Sequence, residues 1–481
     1  MRRTLAETIR LRSSSLSHPP LSAYVKEPRI SEVSVSPAAL SLQHNFAWAF
    51  GGNVVYAACQ WAVVVLLAKI GSTEMVGRFA FASAVTFPVA LIANLKLRDV
   101  FITDLGNKYP FEEILGLRLA LVVLATLTML LICTVAHYGR GETSIIVVLG
   151  VAQLMDCISE SYFGIMQRYE RMDRISRSLM LRSILSVGAL ALLLYSTGSL
   201  LWGLSGFVFG RLVVLFAYDA APNTFALIGV DRQVPWTLSP RDTLFQRLRP
   251  QWNPRNQLKM LWVALPLGLG AILVSVNGKV QRYVIQHHLG ARELGIYSAL
   301  SYIPQSCFMV ASALGGATFA RLAKLFFADD LSRYKLLLFK LMVICMAVGL
   351  AGLLGCVLFG RSTLTILYKP EYAQHVKLLI WLMGVGAVSC LAPCLGAALT
   401  ATSQFRLQVP IFVAVTTTSL VASVMLIPQK GLEGAALAAL ISIIVQLFLT
   451  FYAIHWVLRN RPHDLKGNMS PLLRLLFQSH Q

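Results

Sequence analysis

Residues 155–183 read MDCISESYFGIMQRYERMDRISRSLMLRS, and this stretch indicates how the chain folds. It continues an apolar run that contains two acids, Asp156 and Glu160, then becomes basic, and turns apolar again beyond residue 178. Two apolar segments joined by a short basic connection are typical of two helices that cross a membrane and meet at its surface. The arginines of the stretch are Arg168, Arg171, Arg174, Arg177 and Arg182.

The apolar residues of the whole chain are gathered into segments long enough to cross a bilayer. Of 481 residues, 56% are hydrophobic and 13% are charged, and the mean hydropathy is +0.65, so the apolar content exceeds that of ordinary soluble proteins. A hydrocarbon core of ~30 Å needs about 20 residues of helix. The sequence therefore predicts an all-α integral membrane protein with about twelve transmembrane helices. The predicted spans are 44–68, 77–97, 114–138, 143–163, 176–196, 199–218, 259–277, 292–316, 336–360, 373–400, 407–427 and 432–458.

The distribution of positive charge predicts the orientation. The net charge is +20, and 32 of the 42 lysines and arginines lie in the termini and in every second connection, which leaves 10 on the other side. Basic residues concentrate in cytoplasmic connections, so we expect a multi-pass membrane protein with both termini cytoplasmic. This alternation argues against nucleic acid as a partner. The arginines of residues 168–182 are expected to act as a topology signal and to contact anionic membrane lipids.

The longest internal connection divides the chain into halves of equal orientation. A linker at 219–258 separates six predicted spans in 44–218 from six in 259–458, and we expect two six-helix lobes around a central cavity. Similar outer loops support a duplication, because IGSTEMVGRFAFAS from Ile70 and LGARELGIYSALS from Leu289 share Gly, Glu, Gly and an aromatic residue. Residues 1–43 are interpreted as a disordered basic cytoplasmic leader and 459–481 as a cytoplasmic tail.

Several charged residues fall inside predicted spans, where each needs a partner, a hydrated cavity or a path to the surface. Asp156 lies about 20 Å from the outer start of its helix, and Gln153, Asp156, Glu160 and Gln167 share one helical face. Arg211 reaches a similar depth, so an Asp156–Arg211 pair is expected, either as a structural ion pair or in a cavity. Arg118 and Arg182 lie near the basic ends of their helices, and we expect both to extend to the headgroups.

A second basic group follows the seventh predicted span, on the side that is otherwise poor in positive charge. Lys279 and Arg282 are three residues apart and share a helical face. An anionic ligand, such as a phosphate or an acidic sugar, would explain them, and an ordinary outer loop would explain them equally well. No phosphate-binding glycine loop, HExxH, CxxC or G-x-S-x-G motif is present, so we expect no enzyme, no cofactor and no metal site.

Three blocks of the chain carry a family resemblance. They are LRDVFITDLGNKYPFEEILGLRLAL from Leu97, QRYERMDRISRSLMLRS from Gln167, and PLGLGAILVSVNGKVQRYVIQHHLGARELGIYSALSYI from Pro266. The chain resembles, over about residues 44–458, the bacterial polysaccharide biosynthesis proteins that act as O-antigen or capsule oligosaccharide flippases. These belong to the multidrug/oligosaccharidyl-lipid/polysaccharide exporter (MOP) superfamily. The resemblance departs at Gln281, where relatives would have a proline before the Arg-Tyr pair.

The resemblance implies a transporter that flips an undecaprenyl-pyrophosphate-linked oligosaccharide across the inner membrane by alternating access, for O-antigen, capsule or exopolysaccharide synthesis. It also implies coupling to H+ or Na+ and cooperation with a glycan polymerase and other assembly proteins. On this hypothesis the acids Asp156 and Glu160 bind the coupling ion or orient the cavity arginines. Arg98 and Arg321, at matching ends of the second and eighth spans, are expected to form a pyrophosphate gate. The predicted substrate-binding residues are Arg98, Arg118, Arg211, Lys279, Arg282 and Arg321.

Three alternatives remain open at this point. A multidrug or toxic-compound extruder of the same superfamily would bind amphipathic cations and is expected to prefer acids and aromatics in its cavity. A peptidoglycan-precursor flippase would share the lipid carrier and differ only in the glycan. A membrane glycan polymerase or ligase would need a large outer loop with Arg and His, whereas the longest loop here is predicted to be cytoplasmic.

Overall fold

The computed structural model describes residues 41–104, 109–220, 250–402 and 407–460. These residues form helices joined by short turns, and no strand occurs among them. The predicted leader, most of the predicted linker and nearly all of the predicted tail lie outside the described residues. The helices are α1 (Leu42–Lys69), α2 (Thr73–Asn94), α3 (Leu97–Thr103), α4 (Phe111–Val135), α5 (Arg140–Arg168), α6 (Met172–Thr197), α7 (Leu200–Val214), α8 (Pro254–Asn277), α9 (Val280–His288), α10 (Ala291–Phe327), α11 (Leu331–Leu367), α12 (Val376–Ser389), α13 (Leu391–Ala401) and α14 (Gln408–Arg459).

The helices account for all of the predicted spans. Within the described ranges, ten helical segments are long and apolar enough to cross a membrane, and a bent pair adds an eleventh. The last segment, α14, has 52 residues and would be about 78 Å long at 1.5 Å per residue, more than one crossing requires. Gly431 within it has φ 59° and ψ −136°, a backbone conformation that glycine tolerates, so two helices meet there. With this division the twelve predicted spans each have a counterpart, and the predicted fold class is confirmed.

The seventh span is bent, and a separate short helix follows it. Its two pieces, Pro254–Leu265 and Gly268–Asn277, meet at an angle of 44°. A break at Gly278 and Lys279 then leads into α9, which continues to His288. The predicted end of the span at residue 277 agrees with the structure. Lys279 lies about 13 Å along the helix from His288, inside the bundle and not in an outer loop.

Helices α1–α7 pack mainly on each other and form the first lobe, and α8–α14 form the second lobe. We call the end of the bundle at residues 70–72 and 289–290 the outer end, and the end at residues 95–96 and 169–171 the basic end. At the outer end α2 and α10 cross between the lobes at Gly77 and Gly295. A Cβ atom added to Gly77 would lie 1.6 Å from the Ala291 carbonyl oxygen. The second glycine of each copy of the loop motif, Gly77 in one and Gly295 in the other, is therefore needed for the close approach of the two lobes.

Polar contacts reinforce the same crossing. The Thr73 hydroxyl donates to the Glu371 carboxylate at 3.1 Å, and Arg292 pairs with the other carboxylate oxygen at 2.5 Å. Lys369 donates to the Gly71 carbonyl oxygen at 2.6 Å. The contacts of Thr73 and Gly71 join the first lobe to the short turn before α12, and the Arg292 pair fixes Glu371 within the second lobe, so the outer end of the molecule is closed.

Candidate substrate-binding site

A buried ion cluster occupies the first lobe. Asp156 on α5 lies between two arginines, 2.9 Å from Arg182 Nη1 on α6 and 3.0 Å from Arg211 Nη1 on α7. Both arginine side chains are 5% exposed, whereas the Asp156 side chain is 24% exposed. The predicted Asp156–Arg211 pair is present, and it has a second arginine that the sequence did not predict as a partner.

Arg182 does not extend to the headgroups, so that expectation is wrong. Its guanidinium turns towards α5, where it pairs with Asp156 and lies 5.4 Å from the centre of the Phe163 ring. Arg211 lies 4.1 Å from the centre of the Phe207 ring. Because a carboxylate and an aromatic face are both available inside the lobe, the arginines are stabilised there rather than at the membrane surface.

A second ion pair extends the cluster towards the basic end. Arg98 lies 2.8 Å from Glu160, and its Nε donates to the Gln167 side-chain oxygen at 2.9 Å. The left-handed residues Leu95 and Lys96 end α2 and begin α3, and this turn directs Arg98 towards α5. Three members of the predicted polar face of α5, Asp156, Glu160 and Gln167, therefore bind arginines. The side-chain oxygen of the fourth, Gln153, has no hydrogen-bond partner in the described part of the chain.

The cluster has unused hydrogen-bond donors. Its three guanidinium groups face Asp156 and Glu160, and the buried Asp219 also interacts electrostatically with Arg182. The Nε atoms of Arg182 and Arg211 have no hydrogen-bond partner in the part of the chain that the structure describes. A buried guanidinium with a free N–H is costly unless water or a ligand accepts the bond. These two donors are thus available to water or to a ligand.

Arg118 has a structural environment and is remote from any exposed surface. It is 0% exposed, so the expectation that it extends to the headgroups is wrong. Its Nε donates to the Ser161 hydroxyl at 3.0 Å, and its Nη1 donates to the carbonyl oxygens of Ala93 and Asn94, the latter at 2.7 Å. These carbonyls belong to the last turn of α2 and lack partners in their own helix. Arg118 therefore caps α2, and a substrate cannot reach it in this conformation.

A separate pair of cations lies at the break between the seventh span and α9. Lys279 Nζ is 5.7 Å from the ring centre of Phe87, which belongs to α2 of the first lobe. Tyr283, one helical turn further on, donates its hydroxyl to the Ala84 carbonyl oxygen of the same helix. Neither Lys279 nor Arg282 has a carboxylate partner within the described ranges. Two unpaired cations thus lie where the lobes meet, at a break of the kind that forms binding sites in transporters.

The proline absent at position 281 has no disruptive consequence. Residue 281 is the second residue of α9, a position at which proline is tolerated because its N–H would have no helical partner. Gln281 instead donates its side-chain amide to the Ser419 hydroxyl at 3.1 Å. This bond ties α9 to α14 of its own lobe.

Arg321 does not join either group of charges. It is an exposed residue on α10, and no ion pair or hydrogen bond of its side chain is found in the described part of the chain. Arg98, its proposed counterpart at the end of the second span, is instead paired with Glu160 inside the first lobe. The two positions therefore have different environments, and a symmetrical gate is not formed in this conformation. The described residues also contain no group of three His, Cys, Asp or Glu that could hold a metal ion.

No model of a known protein family matches the chain. The chain is similar to the capsular polysaccharide biosynthesis protein CapF of Staphylococcus aureus, with 26% identity over 409 residues that cover 85% of this chain and 98% of CapF. It is also similar to a probable flippase, AglR of Haloferax volcanii, with 29% identity over 176 residues that cover 35% of this chain and 36% of AglR.

Solved structures reveal the architecture. An inward-facing multidrug-resistance MATE transporter of the MOP superfamily matches with a TM-score of 0.66 at 13% identity, over 88% of this chain and all of that chain. The lipid II flippase MurJ in an inward closed conformation matches with a TM-score of 0.64 at 12% identity, over 90% and 92% of the two chains. The chain has the MOP-superfamily fold. The predicted resemblance is confirmed, both in sequence and in fold.

The contacts within this chain hold the lobes together at the outer end. They are the Gly77–Gly295 crossing and the hydrogen bond from Thr73 to Glu371.

Sequence reasoning missed two members of the site. Arg182 lies near the basic end of α6, and its distance from the helix end does not indicate that its helical face points to Asp156. Tyr56 on α1 was not singled out, yet its hydroxyl lies close enough to interact electrostatically with Asp156, Arg182 and Arg211. Position 182 is 26 residues after Asp156 on the next helix, and only the antiparallel packing of α5 and α6 brings the two together.

Proposed function

We propose that this protein flips an oligosaccharide linked to a polyprenyl phosphate or pyrophosphate carrier from the cytoplasmic to the outer leaflet of a bacterial inner membrane. The observation that carries the proposal is the pair of cations Lys279 and Arg282, which lie between the lobes without a carboxylate partner. A free ammonium and a free guanidinium inside a membrane protein suit a phosphate group, which accepts bonds from both. The similarity to CapF, a capsular polysaccharide biosynthesis protein, supports the glycan as the group that is carried, and the similarity to the probable flippase AglR supports the flipping.

The physical problem that such a protein solves is the cost of moving polar groups through hydrocarbon. Each unpaired hydroxyl and each phosphate oxygen of a lipid-linked glycan would cost several kcal/mol in the apolar core. Two lobes that enclose a hydrated space keep the glycan in water, while the polyprenyl chain stays in the bilayer. The arginine-rich cluster and the break at Lys279 would stabilise the phosphate along this path.

We propose that the lobes alternate between the observed conformation and an outward-facing one. The contacts at Gly77, Gly295 and Glu371 would separate in the outward-facing state, and the basic end would close. Asp156 and Glu160 are proposed to bind H+ or Na+, because a proton or cation on either carboxylate would weaken its hold on the arginines. The freed guanidinium groups would then bind the anionic passenger more strongly.

Two related functions compete with this proposal. A drug extruder that binds organic cations is disfavoured, because the charged side chains at the break between the lobes, Lys279 and Arg282, are cations without a carboxylate partner in the described ranges. A peptidoglycan-precursor flippase handles the same carrier chemistry, and the fold of MurJ is shared. Only the identity of the accumulated lipid-linked glycan separates the two flippases.

The deciding experiment deletes the gene and measures lipid-linked glycans on each leaflet. We expect a lipid-linked oligosaccharide of the capsule, O-antigen or exopolysaccharide type to accumulate on the cytoplasmic leaflet. Complementation with Lys279→Gln and Arg282→Gln should each restore less than a tenth of wild-type export. The control is Arg361→Gln, because Arg361 is an exposed arginine that does not lie at the break between the lobes. This variant should restore export fully.

Three outcomes would overturn the proposal. Accumulation of lipid II in place of the oligosaccharide would identify a peptidoglycan-precursor flippase. Loss of drug resistance with normal glycan export would identify an extruder. Full export by both Lys279→Gln and Arg282→Gln, at normal expression, would remove the anion site from the mechanism.

A further inference from the structure

A cavity of about 650 Å³ opens within the second lobe. It is lined by the end of α8 and by α10, α12, α13 and α14, so the first lobe does not contribute to its wall. The volume falls within the ~300–1,000 Å³ of typical small-molecule sites. The cavity is open on one side, so a ligand attached to a larger molecule can enter it.

The described part of the cavity wall is mainly apolar, with uncharged polar side chains between the apolar ones. Not one of the lining residues that the structure describes is Asp, Glu, Lys, Arg or His. Polar side chains inside a membrane bundle are costly and generally serve a function. Carboxamides recur on α8, on α10 and on both halves of α14, and they are Asn277, Gln305, Gln408 and Gln446.

These carboxamides are largely unused by the protein itself. Gln408 donates to the Thr400 hydroxyl at 2.8 Å. The side chains of Asn277, Gln305 and Gln446 make no hydrogen bond to other described residues. Each carboxamide offers two donors and one acceptor oxygen, which is the combination needed to bind neighbouring hydroxyl groups. Tyr297, Phe308 and Phe412 add aromatic surface to the same wall.

The cavity adjoins the cation pair Lys279 and Arg282. Asn277 and Gly278 line it, and they immediately precede Lys279 in the chain. Tyr297 lines it as well and lies close enough to Arg282 for an electrostatic interaction. A phosphate bound by Lys279 and Arg282 would thus have the uncharged cavity beside it, in the order in which a carrier phosphate is followed by sugar.

We propose that the second-lobe cavity binds the uncharged sugar residue or residues that follow the carrier phosphate. This inference rests on the proposed function. Amides and hydroxyls match the donors and acceptors of sugar hydroxyls, and aromatic rings match the apolar faces of a pyranose. Among the described residues of this wall, an organic cation would meet no acid and a uronic acid would meet no base. The cavity therefore selects neutral sugars at the positions next to the phosphate.

The test measures binding to the purified full-length protein in nanodiscs with three probes of equal chain length. The probes are a polyprenyl pyrophosphate, the same lipid bearing one neutral hexose, and the same lipid bearing one hexuronic acid. The wild type should bind the hexose probe most tightly. The double variant Gln305→Leu/Gln446→Leu should lose about tenfold in affinity for that probe and almost nothing for the bare lipid, because two hydrogen bonds are lost.

Controls separate this inference from the proposed function. Asn53→Leu replaces an exposed carboxamide that bonds its own helix, and it should leave the affinities for all probes unchanged. Lys279→Gln should lower the affinity for all three probes by a similar factor. If no probe binds, or if Lys279→Gln has no effect, the proposed function fails.

Suppose that Lys279→Gln weakens binding, but that Gln305→Leu/Gln446→Leu keeps the wild-type ratio of affinities for the hexose probe and the bare lipid. In that case only the cavity inference fails. Tighter binding of the bare lipid by the double variant would assign the cavity to the polyprenyl chain and would also overturn the inference. A thermal unfolding curve for each variant verifies that the protein is folded.

Discussion

At the scale of single residues, the same side-chain type has different roles in this bundle. Arg118 caps a helix, Arg211 neutralises Asp156, and Arg282 has no carboxylate partner among the described residues. Depth along a helix does not separate these roles, because all three lie inside spans or their breaks. The partner that each guanidinium meets decides its role, since a buried charge is stable only when it is paired or hydrogen-bonded.

The Asp156 pair gives the first prediction at this scale. Asp156→Asn leaves the buried Arg182 and Arg211 without their shared counter-charge, and it should lower the free energy of unfolding by about 3 kcal/mol. The measurement is thermal unfolding of the purified protein in detergent. Asp156→Asn/Arg182→Gln should be more stable than Asp156→Asn alone, because one uncompensated charge is removed.

Asp99→Asn is the control for that prediction. Asp99 and Lys96 form an exposed pair at 3.7 Å, and exposed pairs contribute about 0–1 kcal/mol. The melting temperature of the Asp99→Asn variant should stay near that of the wild type. Equal melting temperatures for Asp156→Asn and Asp99→Asn would show that the buried cluster does not stabilise the lobe.

At the scale of helices, interruptions carry the functional geometry. The break before α9 directs Lys279 and Arg282 between the lobes, and the left-handed turn at Leu95 and Lys96 directs Arg98 to α5. Glycine has the opposite use at the outer end, where its missing side chain lets α2 and α10 touch through their backbones. The proposed binding residues are thus positioned by helix breaks, and the closure of the outer end depends on a contact between two helix backbones.

The glycine crossing gives a prediction about conformation. Gly77→Ala adds a Cβ atom 1.6 Å from the Ala291 carbonyl oxygen, so the crossing must open. A cysteine introduced at Thr73, which is 7% exposed, should then react faster with a maleimide than it does in the Gly77 background. Gly139→Ala is the matched control, because its Cβ atom would meet nothing within 4 Å. Unchanged labelling in folded Gly77→Ala protein would mean that the crossing does not close the outer end.

At the scale of the whole molecule, charge is divided between the lobes. The described ion cluster lies in the first lobe, the uncharged cavity lies in the second, and the unpaired cations lie between them. Such a division suits a passenger with a charged part and a neutral part. It also suits alternation between two lobes, because separation at one end does not break the ion cluster inside either lobe.

The orientation of the molecule gives a prediction at this scale. A single cysteine at Arg140 should react with a membrane-impermeant maleimide in intact spheroplasts, since residue 140 is at the outer end. A single cysteine at Arg333, on the basic side, should react only after the membrane is permeabilised. Both residues are exposed, and the native cysteines are buried or half-buried, so the parent protein is the background control. The reverse labelling pattern would invert the proposed topology.

The fold could be predicted from sequence because its main determinant is local. Segments of about 20 apolar residues specify membrane helices without reference to the rest of the chain. Helix α9, which follows the seventh span, is the exception, since Arg282 and His287 make it too polar to be recognised as a membrane helix. It is stabilised by tertiary contacts, such as those of Tyr283 with α2 and of Gln281 with α14.

The sequence alone determined the membrane class, the number of helices, the polar face of α5 and the family resemblance, because composition, period and motif are all properties of the linear chain. Only the tertiary structure decided that Arg182 joins Asp156, that Arg118 caps a helix and that Arg321 stands apart. The physical reason is that a charge is placed by its partner, and the partners lie on other helices whose relative rotation no local pattern encodes. The same reason applies to the second-lobe cavity, whose wall is collected from distant helices.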